Sequence, residues 1–379
     1  MKTKSLLFAI VLAALSAGAF AFEWGGALAN YTRIKGKDFS SLKLDQVDDL
    51  SLWIKTPFDK DGKLYLAAEG LYEFEYDAAA KKNYNRLDLS LLKFQGSWDF
   101  SQKKISLSAG RFVFSDYTGL IMRQGSDGLF LSCEFSRAAV QAYASYTGLL
   151  NANIVKMLDH PKDTFKVDSE SVYCLAQKYA AAALSVSFPS LFSKHTLALQ
   201  ALGTFKLEGV SYNRIYATLF MTGPVWQSLY YSASATMSFA SYDGAAADIS
   251  NLSRACLNYY LPFKSLAFGL GAVYASKDFR GFTKCDAFAS LADPQYSGLV
   301  KVEATASIKP ISVLLAKAGA GLVFDAGDST GYRGVEWSAS VDWQVFSDAK
   351  IGASYVQYLD KDKSESNKVQ FSINALITF

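Results

Sequence analysis

Apolar and polar side chains alternate one by one along much of this chain. In "VEWSASVDWQVF", Val335, Trp337, Ala339, Val341, Trp343 and Val345 fall on one face and Glu336, Ser338, Ser340, Asp342 and Gln344 on the other. "LYYSASATMSF" repeats the pattern, with Leu229, Tyr231, Ala233, Ala235, Met237 and Phe239 against Tyr230, Ser232, Ser234, Thr236 and Ser238. The closing stretch "KVQFSINALITF" does so again, with only Leu376 out of step. A period of two places alternate side chains on opposite faces of a β-strand. Half-burial against a soluble core produces this pattern, and so does lipid on one face with water on the other. The apolar faces put Trp, Tyr and Phe near strand ends and Ala, Leu and Val between them. Sorting by depth is what an aromatic girdle at each membrane interface requires.

The pattern predicts an all-β chain of eighteen strands, at residues 22–33, 47–56, 62–76, 85–100, 104–115, 127–136, 138–148, 171–188, 195–207, 211–222, 226–241, 251–261, 265–276, 298–309, 311–324, 333–346, 348–359 and 367–379. A count of sixteen would leave the class unchanged. The fourth strand changes face at Leu91-Leu92, the mark of a bulge. Connection lengths then alternate. Those after even-numbered strands are short ("PFDKD", "SQK", "GPV", "PFK", Pro310, Ser347), whereas those after odd-numbered strands run to 34–46, 116–126, 149–170 and 277–297. "FTKCDAFASL" could form a further strand, but counting it breaks the alternation, so it is assigned to a loop. Short periplasmic turns alternating with longer outer loops describe a transmembrane antiparallel up-and-down β-barrel.

The N-terminus fits that destination. "MKTKSLLFAIVLAALSAGAFA" has a basic start, a short apolar run and a small-x-small end at Ala19-Phe20-Ala21, so residues 1–21 read as a secretory signal peptide and 22–379 as the barrel. Without Lys2 and Lys4 the 38 basic residues become 36 against 35 acidic, a balance that argues against nucleic acid as a partner. Fifteen per cent aromatic residues with seven prolines exclude a disordered surface protein.

With the signal peptide and the apolar-x-apolar-x-Phe ending at Phe371, Ile373, Ala375, Ile377 and Phe379, the chain resembles the outer-membrane β-barrel family of Gram-negative bacteria, and porins in particular. The resemblance implies contact with outer-membrane lipid and recognition of Phe371, Ile377 and Phe379 by the barrel-assembly machinery. It leaves a homo-trimer open. "AGRFVFSDYTGLIMRQGSDGLFL" (109–131) is similar to the strand–loop–strand region of several porins, whose third outer loop folds into the lumen. The equivalent here is 116–126, with an apolar "GLIM" at its centre in place of acidic residues.

Catalytic chemistry is sparse. His160 and His195 are the only histidines, in a long loop and beside a turn, and neither has a triad pattern around it. Cys133, Cys174, Cys256 and Cys285 are too dispersed for a zinc motif and read as small apolar fillers. The acidic loops "LDKDKSES" and "DAGDSTG" lack calcium-loop spacing. No enzyme, metal or cofactor is expected. The informative residues are charges assigned to inward faces, because a charge on lipid at mid-depth costs about 2–4 kcal/mol. Glu69, Glu73, Arg86, Asp88, Lys93, Arg111 and Arg214 are such candidates, and Arg123 tops the 116–126 loop. They can pair across strands or impose a transverse field on passing solutes. Tyr65, Tyr216 and Tyr230 could guide sugars along the wall. The leading expectation is a water-filled channel for small hydrophilic solutes. The alternatives are a transporter of hydrophobic compounds resembling the fatty-acid channels, or a surface-exposed structural or adhesin barrel.

Overall fold

The computed structural model describes residues 22–38, 41–155, 157–162, 165, 167–192, 194–284, 291, 297–327, 331–362 and 367–379. The expected signal peptide, Cys285 and parts of "FTKCDAFASL", "LDKDKSES" and "DAGDSTG" lie outside these residues.

Eighteen strands form, in the order β1 (Glu23–Gly36), β2 (Lys43–Pro57), β3 (Leu64–Asp77), β4 (Lys82–Phe100), β5 (Lys103–Ser115), β6 (Arg123–Phe135), β7 (Ala139–Tyr146), β8 (Tyr179–Phe188), β9 (Thr196–Lys206), β10 (Tyr212–Trp226), β11 (Leu229–Tyr242), β12 (Asp248–Leu261), β13 (Leu266–Ala275), β14 (Leu299–Ile311), β15 (Leu314–Asp325), β16 (Tyr332–Phe346), β17 (Ala349–Asp360) and β18 (Lys368–Thr378). Each pairs antiparallel with its sequence neighbours, and β1 pairs with β18 to close the barrel. At the closing seam Gly26 and Phe379 exchange backbone hydrogen bonds of 2.8 and 3.0 Å. A Cβ at Gly26 would lie 2.6 Å from the Phe379 ring, so only glycine admits that ring.

Two faces follow from the pleat. Outward residues such as Leu199 and Ile215, 50% and 48% exposed, form an apolar belt with Leu184, Met237 and Leu270. An uncovered apolar surface of this extent is far larger than a soluble monomer carries, and it is the surface of a protein embedded in lipid. Inward residues are small or polar, among them Ser185, Gln200, Thr204, Thr218, Thr236 and Ser238, all buried.

The expected bulge is present. Glu69 pairs with Leu91 and Gly70 with Leu89, so Ser90 is the extra residue of β4. Its hydroxyl donates to the Glu69 carboxylate at 2.9 Å. Before it Leu87 and Leu89 face outward, and after it Leu92 does. The main boundary difference is at β8, which starts at Tyr179 rather than 171. The stretch before it pairs instead with the chain after β7, through Ala176 to Leu150 (2.9 Å) and Ala152 to Cys174 (2.6 Å), as a ribbon lying against β4.

Two ladders stop early. β4 and β5 part above Leu92↔Arg111, and β6 and β7 above Asp127↔Tyr146. Just below the divergence Gly110 faces Gly128 across the β5–β6 hairpin. Gly110 has φ +109°, and a Cβ there would sit 2.1 Å from the Leu92 carbonyl oxygen. At Gly128 it would sit 2.2 Å from that of Ala144. The glycine pair lets the hairpin tip, 112–126, leave the wall.

Candidate functional site: a loop-narrowed lumen

The hairpin tip turns inward. Phe112 and Phe114 are buried against Tyr143 on the inner wall, with Phe114 stacked on it at 3.9 Å. Asp116 shapes the turn that follows, accepting from the amides of Thr118 (2.8 Å), Ile121 (3.1 Å) and Met122 (2.8 Å), while Gly119 supplies φ +65°. The apolar centre "GLIM" thereby becomes a plug, with Leu120, Ile121 and Met122 at most 5% exposed.

A second loop meets it. The amides of Phe282 and Thr283 donate to the Ile121 carbonyl at 2.8 and 3.0 Å, and Phe279 and Phe282 are buried beside it. The inward side chains of β9 and β10 hold both loops. Gln200 accepts from the Tyr117 amide at 3.2 Å, Tyr216 donates to the Arg280 carbonyl at 2.7 Å, and Arg214 donates to that of Gly281 at 2.9 Å. A third loop closes over them, where the Leu158 amide donates to the Phe282 carbonyl at 2.8 Å. Its Asp159 is the latch, accepting from Lys206 (2.9 Å), Gln177 (2.5 Å) and Tyr179 (2.8 Å), while Arg280 donates to its carbonyl at 3.2 Å. Burial pushes the Asp159 carboxyl up, but the bonds from Lys206, Gln177, Tyr179 and the His160 amide outweigh it and hold it below the usual carboxylate range. His160 stacks on Tyr242 with ring centroids 3.7 Å apart.

The opposite wall stays open. A cavity of about 700 Å³ is lined by Asn258, Lys301, Glu303, Thr305, Glu336 and Ser340 among others. A second, of about 520 Å³, is lined by Tyr31, Arg33, Asp49, Glu73, Glu75 and Arg86, and Ser354 belongs to both. Lys301 bridges Glu303 (2.9 Å) and Glu336 (2.7 Å), and Arg86 bridges Glu73 and Glu75. Cross-strand pairing therefore holds these charges in the wall, with Lys301 and Glu336 themselves buried and the Leu291 amide donating to the Glu336 carboxylate.

The charges singled out in the sequence fall into separate groups. Glu73 and Arg86 meet on the open wall. Glu69 is tied to the bulge by Ser90, and Lys93 lies 5.7 Å from the Tyr65 ring centre. Arg214 is wholly buried, its guanidinium 4.3 Å from the Tyr212 ring centre and 5.2 Å from that of Phe282. Arg111 stands apart from these groups. Paired with Leu92, it lies in the gap between β4 and β5, 6% exposed, bonded to Asp127 (2.9 Å), Asp88 (3.3 Å) and the carbonyls of Leu89 (3.0 Å) and Leu149 (2.9 Å). Arg123 is the exposed first residue of β6, its amide bonded to the Thr283 hydroxyl at 2.9 Å. Tyr216 is covered by the second loop and Tyr230 remains exposed. Sequence reasoning missed Asp159, Lys206, Phe279, Arg280 and Phe282. The one available signal was "FRGF", two aromatics and a glycine within a polar loop.

No protein-family model matches the chain, and neither does any curated protein. Solved structures do match. The outer membrane protein OpdK of Pseudomonas aeruginosa superposes with a TM-score of 0.65 at 15% identity, over 95% of this chain and 100% of that one. The chain has a porin fold. OccK5 (OpdH) of the same organism gives 0.63 at 12% identity over 94% and 98%, and a BenF-like porin from Pseudomonas fluorescens Pf-5 gives 0.64 at 11% identity over the same shares.

Proposed function

We propose that this protein is an outer-membrane porin through which small hydrophilic solutes diffuse along one side of the lumen. The observation that carries the reading is asymmetry. Loops 116–122 and 276–283 pack on β9 and β10, while the wall from β14 round to β4 lines cavities with half-buried polar side chains such as Glu303, Ser340, Glu73 and Glu75. A solute would pass between carboxylates such as Asp49, Glu73 and Glu75 and the exposed Arg123 at the loop junction. Water in so narrow a space screens poorly, so single charges bias which ions enter. The proposed activity is passage without chemistry.

Purified protein in planar bilayers should give ohmic steps that scale with salt. Liposomes carrying it should swell in small sugars at rates that fall with solute size. Silent bilayers and non-swelling liposomes from correctly folded protein would refute the reading.

A further inference from the structure

The gap left where β5 swings away from β4 is closed in an unusual manner. From Lys82 to Leu91 the outer edge of β4 has no strand partner beyond β3. The ribbon of residues 147–153 and 171–178 covers it instead. Among the described residues, one backbone bond joins them, from the Leu87 amide to the Val172 carbonyl at 3.2 Å. The Asn151 side-chain amide reaches the carbonyls of Leu87 (3.1 Å) and Val172 (3.0 Å), and an exposed Lys82–Glu170 pair spans 2.6 Å. Surface pairs of that kind contribute little. Below the seam β4 and β5 are joined by a continuous ladder from Leu92 to Phe100.

Both sides of this patch are apolar. Leu87, Leu89, Leu149, Val172 and Leu175 are exposed on the ribbon and its β4 neighbour. Behind them Leu150, Ala152 and Ala176 form a buried cluster with Met157, which also packs on the main lumen core. Apolar side chains thus lie on both the outer and the lumen side of the seam, with the buried Asn151 and Arg111 between them, and Arg111 ties the Leu149 carbonyl of the ribbon to the Leu89 carbonyl of β4. We propose that this seam is a lateral portal: the ribbon parts from β4 and lets small uncharged apolar molecules exchange between the outer-leaflet lipid and the lumen. The lining selects the class, because a charged solute would be stripped of water against Leu, Met and Phe with nothing to pair with. The Arg111 guanidinium at the foot of the seam is already engaged by Asp127, Asp88 and two carbonyls. This route is separate from the polar wall proposed for hydrophilic solutes, so each can fail without the other.

The test is a reversible staple. In a protein with Cys133, Cys174, Cys256 and Cys285 replaced by serine, Leu87→Cys with Val172→Cys places two thiols on residues joined by a backbone hydrogen bond, within disulfide reach. Cells expressing it are given radiolabelled naphthalene and, separately, a small sugar. Oxidation should reduce naphthalene uptake to that of cells lacking the protein, reduction should restore it, and sugar uptake should be the same in both states. Equal naphthalene uptake in the oxidised and reduced states overturns the portal. Asn151→Ala supplies the converse arm if the staple does not form: removing its bonds should raise naphthalene uptake severalfold with sugar uptake unchanged, and an unchanged naphthalene rate overturns the portal.

Discussion

The two sides of the inner wall are built from the same alternating strands and carry opposite contents. On β9 and β10 the inward positions hold Gln200, Leu202, Arg214 and Tyr216, and every one is buried beneath loop backbone or packed rings. On β14 and β16 they hold Lys301, Glu303, Glu336 and Ser340 beside a cavity, with Glu303 and Ser340 half-buried at its edge and the Lys301–Glu336 pair buried behind them. Strand pattern cannot tell these walls apart, since both read as polar-in. What separates them is whether a loop carries its own apolar residues inward, as "GLIM" and "FRGF" do. Such a loop replaces water as the inner solvent of the wall, and the strand beneath it becomes part of a core.

The sharpest way to break the contrast is at the glycine pair. Gly110→Val puts a branched side chain where φ is +109° and the Leu92 oxygen is 2.1 Å from the new Cβ. The hairpin should fail to turn inward, and most of the protein should be lost from the folded, heat-modifiable band on gels. Asp116→Ala comes next. It leaves the amides of Thr118, Ile121 and Met122 without their acceptor, at about 1–3 kcal/mol for each group left unsatisfied. The plug should loosen while the barrel persists, seen as a severalfold larger and noisier single-channel conductance. Arg123→Glu should act on selectivity alone. Reversal potentials under a salt gradient should move toward cations with no loss of folded yield, and an unmoved potential would take Arg123 out of the filter.

The smallest effect concerns acid. The Asp159 carboxyl titrates below its unfolded value, so the latch contributes fully above the ordinary carboxylate range and weakens as pH falls through the depressed folded value. Conductance should therefore be steady near neutrality and rise in acid. Asp159→Asn should already be raised at neutral pH and should respond less to acid.

All eighteen strands were legible because a two-residue period over ten or so positions is hard to produce otherwise, and connection lengths gave an independent check. Even the bulge in β4 showed as a change of face. The loops were not legible, because inward packing depends on distant partners such as Gln200 and Tyr117 that no local pattern links. Residues 171–178 show the limit well. Val172 to Ala176 are five apolar residues in succession, as a strand buried on both faces also is, but they belong to a ribbon over the seam rather than to the wall. Arg111 was misplaced for a related reason: its neighbours fixed a strand, but the divergence of β4 from β5 decided what the side chain would meet.

Ser90 gives β4 something like a reading frame. Upstream of it Arg86 and Asp88 point to water, downstream Lys93 does, and one additional residue is all that reconciles the two phases. Substituting Ser90 would leave that phase intact. Deleting it would merge the two phases into one unbroken alternation, with Arg86, Asp88, Leu91, Lys93 and Gln95 at every second position and the pairs Glu69↔Leu91 and Gly70↔Leu89 consecutive. Deleting a residue outside the bulge, Leu87 for example, would instead turn one part of the strand over and send a charge toward hydrocarbon, where a basic side chain at mid-depth costs about 2–4 kcal/mol. Among the codons of this strand, those of the bulge can be lost without upsetting the frame, and the others cannot.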